Sequence, residues 1–235
     1  MKNKYTIIKH KRNKRNKTKI QKYKNTKIQK YENTKIRKRK IQKGNKTKKQ
    51  KRNKNGGSTI YDMDKDEIIK IDDLTPDGNT FFRKMYSKHK GKNDVRHIEK
   101  QLVDFLMINP HPNIVTFYDV NNEYLDMEEL NTKINYDDPE IIGVMREVKE
   151  FLQNLGIMYI DWKFDNIGKS KDGNYKLFDF DASGIINLDT NEWIVTPPNF
   201  WSFKKAIENN CITPKKIDDW TFEYNILGNK SITCE

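Results

Sequence analysis

The 235-residue sequence predicts an α+β fold in two layers or lobes, set behind a separate basic segment, and three observations carry that expectation. Strand-type segments cluster over residues 58–86 and 111–130 with one helical pattern between them, the remainder is mostly helical, and the charge is sharply divided. Residues 1–57 hold 25 Lys/Arg and a single acid, Glu32, whereas the following 178 residues carry 21 bases and 32 acids. The overall net charge of +13 therefore belongs to a segment with almost nothing apolar to bury, and the part expected to fold is acidic. A basic nucleic-acid-binding fold is excluded for the chain as a whole.

Within residues 1–57, expected to be a disordered low-complexity tail, an eight-residue phrase recurs as Thr18-Lys19-Ile20-Gln21, Thr26-Lys27-Ile28-Gln29 and Thr34-Lys35-Ile36-Arg37. Eight fits neither a heptad nor a solenoid unit. The segment reads either as an electrostatic arm for nucleic acid, an acidic surface or nuclear import, or as a solvated extension; charge alone supplies affinity without an address. The apolar runs are far shorter than the roughly 20 residues that span a bilayer, and MKNKYTIIKHKRNK lacks a signal-peptide core. The expectation is an intracellular, soluble protein without a transmembrane segment. Cys211 and Cys234 are expected to be lone thiols, and His10, His89, His97 and His111 are too scattered for a metal centre.

Element by element, STIYDM (58–63) and DEIIKI (66–71) have strand-like content around the polar pair Asp64-Lys65, which suits a hairpin turn. Pro76-Asp77-Gly78 signals another turn before TFFRKMY (80–86), a third strand or a helix start. VRHIEKQLVDFLM (95–107) spaces Val95, Ile98, Leu102, Phe105 and Leu106 as a helix that Asn109-Pro110 stops. HPNIVTFYDV and NEYLDMEEL follow as strands. PEIIGVMREVKEFLQNLG (139–156) is a longer helix with Ile142, Met145, Val148, Leu152 and Leu155 on one stripe and Gly156 as its stop.

The chemistry concentrates behind that helix. IMYIDWKFDNIG (157–168) places Asp161, Lys163 and Asn166 in a short loop, and KLFDFD (176–181) ends a strand with Asp179. Two carboxylates, an amide and a lysine at such spacing suit a divalent cation with phosphate, because hard oxygen ligands hold Mg²⁺ and an ammonium neutralises phosphate charge.

YIDWKFDN resembles the protein-kinase catalytic loop H-R-D-L-x-x-x-N, and DFD resembles D-F-G. HPNIV is similar to the segment after the regulatory helix of kinases, DMEEL to the hinge, and DDWTFEYNIL (218–227) to the opening of the buried helix in the C-lobe. In order, these five elements cover residues 58–228. The resemblance implies a protein-kinase-like bilobal fold, with a small, mostly β N-lobe over about 58–130 and a shortened α-helical C-lobe over about 131–235. It implies ATP- and Mg²⁺- (or Mn²⁺-) dependent phosphoryl transfer to Ser/Thr hydroxyls of a protein substrate.

By that resemblance, Asp161 orients or deprotonates the acceptor hydroxyl, Lys163 contacts the transferring phosphoryl group, and Asn166 and Asp179 hold the metal. Lys163, two positions after the carboxylate, follows the Ser/Thr-kinase habit. Backbone groups of Glu128 and Leu130 meet adenine. Lys70, in EIIKI, is preferred for the lysine of V-A-I-K that reaches the α/β-phosphates; Lys84 in FFRKM is the rival if TFFRKMY is the third strand. Glu99 is the expected ion-pair partner, with Asp104 the other acid nearby and a solvated helix charge the alternative.

Departures accompany the match. The glycine-rich loop is reduced to Gly56-Gly57, Tyr159-Ile160 replaces His-Arg, Asp181 replaces the glycine of D-F-G, no A-P-E is visible, and the usual peptide-binding helices are largely missing. This is similar to compact kinases of large DNA viruses with AT-rich genomes, which would place the protein in the cytoplasm or nucleus of a host cell. A pseudokinase scaffold, a small-molecule phosphotransferase and a tail-driven nucleic-acid binder are the competing functions.

Overall fold

The computed structural model describes residues 57–71, 73–75, 78–86 and 96–234. The expected tail over 1–57 lies outside them apart from Gly57, as do His10, His89, Val95, Gly56, Pro76 and Asp77.

A five-stranded sheet in the order β2-β1-β3-β5-β4 is built from β1 (Ser58–Asp62), β2 (Glu67–Ile71), β3 (Phe81–Met85), β4 (Phe117–Val120) and β5 (Tyr124–Glu128). The hairpin expected around Asp64-Lys65 pairs β1 with β2 from Ser58↔Ile71 to Asp62↔Glu67. TFFRKMY resolves to a strand: β3 lies in the sheet interior, parallel to β1 and antiparallel to β5. Arg83 is tolerated there because Asp126, its direct partner across the β3–β5 ladder, accepts two hydrogen bonds from its guanidinium at 2.6 and 2.7 Å, while the Tyr124 ring lies 4.0 Å below.

Helix α1 (Arg96–Leu106) buries Glu99, Leu102, Val103 and Leu106, a spacing of three and four residues that marks one face. The expected stripe is altered in one place: Phe105 is exposed, and Val103, two positions earlier, lies in the core instead. Helix α2 (Pro139–Asn154) starts with Pro139 at its first turn and the Asp138 carboxylate accepting from the Glu140 N–H at 3.0 Å. Its buried stripe is Ile141, Met145, Val148 and Leu152, with Ile141 rather than Ile142 leading it. Gly156 takes φ +76 beyond the helix end, the left-handed conformation that a glycine stop allows.

Beyond α2 come β6 (Ile157–Met158), a 3₁₀ turn (Phe164–Asn166), β7 (Ile167–Lys169), β8 (Tyr175–Leu177), β9 (Gly184–Asn187), β10 (Glu192–Val195), α3 (Trp201–Glu208) and α4 (Pro214–Asn225). β7 pairs with β8, and β10-β9-β6 form a second small sheet. The described residues thus form a mixed α+β structure with four α-helices. The main core joins α1, β4, β5 and α2 to Tyr159, Trp162, Phe180 and Phe222, whereas a smaller cluster gathers Met158, Ile160, Ile186, Ala206, Ile217 and Trp220. None of the described helices is long and apolar enough to cross a membrane.

The lone-thiol expectation is corrected: Cys211 and Cys234 form a disulfide across 23 positions of sequence. Cys211 is fully buried in the smaller cluster, and the returning end of the chain is held there as well by the Trp220 Nε1–H, which donates to the Ile232 carbonyl at 3.0 Å. A spacing of this length gave no framework pattern in the sequence, and the pair meets only because residues 226–234 fold back on α4. Closing a loop of this size removes roughly 3 kcal/mol of unfolded-state entropy. Reduction with a dithiol should therefore lower the thermal midpoint by several degrees, and a Cys211→Ala/Cys234→Ala variant should show the lower midpoint with no further response to reductant.

Candidate functional site

The loop after β6 is fixed from behind. Asp218 of α4 is buried, and its carboxylate accepts from the Ile160 N–H at 3.0 Å, the Trp162 Nε1–H at 2.8 Å and the Gln153 side-chain amide at 2.8 Å. Burial drives the Asp218 carboxyl above its ordinary range, against which these donors and Lys149 act. Ile160, a β-branched residue, is held at φ +65, a strained conformation that over-determination by its neighbours sustains. Tyr159, where the kinase pattern has histidine, packs its ring on Trp162 and edge-on to Phe180, and its hydroxyl donates to the Phe178 carbonyl at 2.5 Å. The loop and the DFD segment are thereby joined by one buried phenol.

Asp161 follows at the front of this frame. Its carboxylate is met by Lys163 Nζ at 2.6 Å, the Asn166 amide nitrogen at 3.1 Å and the Ser202 hydroxyl at 3.3 Å. Burial opposes the charge of Lys163, but the hydrogen bond and attraction of Asp161 outweigh it and raise the Lys163 pKa. Asn166 also donates to the Asp161 carbonyl at 3.0 Å, and its own carbonyl accepts from the Phe178 N–H at 3.0 Å, bringing the DFD segment alongside. Ser202, at the start of α3, was not singled out in the sequence; it stands 41 residues from Asp161, and no local pattern marks it.

The ion pair expected of Lys70 belongs to Lys84. Lys84 Nζ lies 3.3 Å from Glu99, 2.8 Å from Asp179 and 3.2 Å from Asp181. Lys70 is on the edge strand β2, exposed, and pairs instead with Glu129 at 2.7 Å and with the Thr59 hydroxyl. Burial is the largest influence on Lys84 and disfavours its charge, yet Glu99, Asp179 and Asp181 together hold its pKa well above the ordinary value. Glu99 is wholly buried, not a solvated helix charge, and burial pushes its carboxyl up to about 7 despite the Lys84 attraction. Asp104 pairs with Lys100 at 2.9 Å on the exposed side of α1. Glu99 Oε2 and the neighbouring Tyr86 hydroxyl are buried without a hydrogen-bond partner. Asp181 is also raised, chiefly by burial, and Asp179 adopts φ +62.

Under the β1–β2 roof a cavity of about 270 Å³ opens between Thr59, Ile68, Phe82, Met127, Leu130 and Phe178. Glu128 and Leu130 both line it, and the Glu128 side chain is engaged at 2.6 Å by Lys176. Gly57 precedes β1 and so lies outside the β1–β2 turn; that turn is Met63–Asp66, contains no glycine and does not line this cavity. A larger cleft of about 980 Å³ between α2 and α4 does not have Asp161 in its lining. Among the described residues no three Asp, Glu, His or Cys side chains converge as a metal site, so a cation here would rest on Asp179, the Asn166 amide and ligands brought by a substrate.

No family model matches the chain. Its sequence is similar to the serine/threonine-protein kinase ste20 of Emericella nidulans, 32% identical over 129 residues, which is 47% of this chain and 15% of that protein. It is similar to STE20 of Saccharomyces cerevisiae, 30% identical over 157 residues, 56% of this chain and 16% of that protein, and to STE20 of Eremothecium gossypii to the same extent. The chain thus spans about a sixth of the length of these curated relatives.

Two outcomes follow from the buried acids. Asp218→Ala leaves the Ile160 and Trp162 donors unsatisfied, each worth about 1–3 kcal/mol, and should cost several kcal/mol in chemical denaturation. For Glu99 the folded pKa of about 7 exceeds the ordinary 4.5, so the native state binds the extra proton between those values. Its contribution is complete below about 4.5 and is lost as pH rises through about 7. Stability should therefore fall with rising pH across that window, and Glu99→Gln should flatten the fall; Asp181 and Asp218 act with the same sign. These partial likenesses, taken with the Asp161 and Lys84 clusters, support a kinase-like relationship for the chain.

Proposed function

We propose that the chain adopts a kinase-like bilobal fold and transfers a phosphoryl group from ATP, with Mg²⁺ or Mn²⁺, to Ser/Thr hydroxyls of protein substrates. The observation that carries this reading is the Asp161 carboxylate, held by Lys163, Asn166 and Ser202 beside the Lys84–Asp179 pair. Phosphoryl transfer needs positioning and charge stabilisation more than covalent chemistry, and this arrangement supplies both. Asp161 orients the acceptor hydroxyl and takes its proton as the oxygen attacks. Lys163, already within 2.6 Å of Asp161, neutralises the transferring group between donor and acceptor. Lys84, rather than Lys70, meets the α/β-phosphates, with Glu99 fixing its direction. Backbone groups at Glu128 and Leu130 read the base. Asn166 directs its amide nitrogen at Asp161, so its oxygen and the Asp179 carboxylate are the groups that would hold the cation. When bound, such an ion would supply positive charge that offsets that of the phosphate oxygens.

The partial likeness to Ser/Thr kinases and the lysine at 163 favour a protein acceptor over a small molecule. The basic segment 1–57 adds non-specific affinity for nucleic acid or acidic surfaces, and the composition is in keeping with a viral origin. A second reading, a pseudokinase scaffold, is favoured by the glycine-free turn between β1 and β2.

Labelled ATP with Mg²⁺ or Mn²⁺ and a mixed protein substrate tests the reading. Asp161→Asn should lower turnover by roughly two orders of magnitude or more while ATP affinity is kept. Lys84→Met should abolish turnover, and Lys70→Met should leave most of it. Equal turnover in wild type and Asp161→Asn overturns the mechanism, and ATP binding without transfer by the wild type establishes the scaffold.

A further inference from the structure

Successive side chains of a strand alternate between its faces, so Phe82 and Lys84 of β3 share one face of the sheet. Lys84 uses it to reach Asp179 and Asp181, and Phe82 uses it to line the cavity under the β1–β2 roof. Register places Phe82 directly opposite Met127 of β5, immediately before the segment Glu128–Leu130. With Lys84 in the place of the lysine of V-A-I-K, Phe82 occupies the alanine position, putting a phenyl ring where that pattern has a methyl group. The consequence is visible in the cavity: about 270 Å³ lies just below the usual range of roughly 300–1,000 Å³ for small-molecule sites. Phe178 adds a second ring to its lining, which also includes Lys70, Glu129 and Thr59, joined to one another through Glu129, to which the Thr59 hydroxyl donates at 2.5 Å.

We propose that Phe82 determines which base this cavity accepts: its ring, set against Met127, admits a flat purine and rejects one extended along the edge that faces Glu128–Leu130. The inference rests on the nucleotide-binding reading above and deepens it. A rigid wall of this kind discriminates by shape alone, since its face is apolar and offers the base no hydrogen bond. Polar recognition is left to the backbone at Glu128 and Leu130, which cannot measure the length of the ring system. Bulk at residue 82 therefore acts as the gauge.

The test uses the full chain with Mg²⁺ and two probes, ATP and ethenoadenosine triphosphate, whose fused etheno ring lengthens the base on the amino edge. Dissociation constants are measured by calorimetry for wild type, Phe82→Ala and Phe82→Leu, with circular dichroism to verify folding. Wild type should bind ATP at least about 10-fold more tightly than the etheno analogue, the size of discrimination a single apolar wall provides. Phe82→Ala should bring the two within about 3-fold, and Phe82→Leu, which keeps most of the buried volume and guards against loss of the fold, should fall between. A wild type that binds both nucleotides equally, or an unchanged ratio in both variants, overturns the role of Phe82 while leaving the nucleotide reading intact. Binding of both probes only after Phe82→Ala overturns it in favour of a ring that plugs the cavity. Absence of binding in all three proteins overturns both readings together.

Discussion

The buried carboxylate of Asp218 is the constraint on which the candidate site depends. An ionised group removed from water is costly unless its oxygens are fully engaged, and here the Ile160 N–H, the Trp162 indole and the Gln153 amide engage them. Two of these donors flank Asp161 in sequence. The loop therefore cannot relax without leaving Asp218 exposed to an apolar interior, and the φ of +65 at Ile160 persists for the same reason. A surface carboxylate such as Asp161 thus inherits its position from a helix on the opposite side of the loop. Tyr159 extends the rigidity forward, since its hydroxyl to Phe178 ties Asp179 to the same frame.

In front of that frame the charge is deliberately unbalanced. Three carboxylates, Glu99, Asp179 and Asp181, share the single ammonium of Lys84. Glu99 is wholly buried, and burial pushes its carboxyl up to about 7, which amounts to a local preference for a proton or another positive charge. Asp181, the residue in place of glycine, adds to this excess, because its burial raises its own pKa and its charge raises that of Glu99. The cluster is thereby acidic, and on the proposed reading a nucleotide's phosphates would need accompanying cations to approach it.

Much of this was legible in the sequence, and what was not fails for identifiable reasons. Asp161, Lys163, Asn166 and Asp179 lie within 19 residues; the first three meet directly, and Phe178 brings the DFD segment alongside Asn166. The order of strands and helices was readable from periodicity as far as α2, whereas the remainder expected to be mostly helical also holds β6, β7, β9 and β10, strands too short to show a period. EIIKI reproduces the apolar-apolar-Lys-apolar pattern better than FFRKM does, and so favours Lys70 over Lys84. Apolar content, however, does not distinguish an edge strand from an interior one: Ile68 and Ile69 are exposed on β2, while β3 runs between two partners. Arg83 disguised β3, and the neutralising Asp126 becomes visible only once the register is known. For Glu99 a signal was present, since it shares spacing with Leu102, Val103 and Leu106, and an acid within an apolar stripe is an acid with a buried partner. Cys211 with Cys234, and Ser202 with Asp161, are products of chain reversal that no local window contains.

The turn between β1 and β2 gives the departure from the kinase pattern its physical meaning. A glycine-rich turn cradles phosphate by presenting unpaired backbone N–H groups. Here Met63 donates to the Met85 carbonyl at 3.4 Å, Asp64 to the Asp62 carboxylate at 3.0 Å and Lys65 to the Asp62 carbonyl at 3.3 Å, so three successive amides are already engaged. The Tyr61 hydroxyl further fixes the turn through Asp66 at 2.9 Å, and Asp62, Asp64, Asp66 and Glu67 give it a charge that repels phosphate. On the proposed reading, positive charge for a triphosphate would then come from the Lys84 and Lys163 side chains and from a cation on Asp179 and Asn166. A conventional site spreads that work over many backbone dipoles. In this chain, on the proposed reading, it would fall on a few full charges, and those are the most sensitive to salt, pH and the supply of metal.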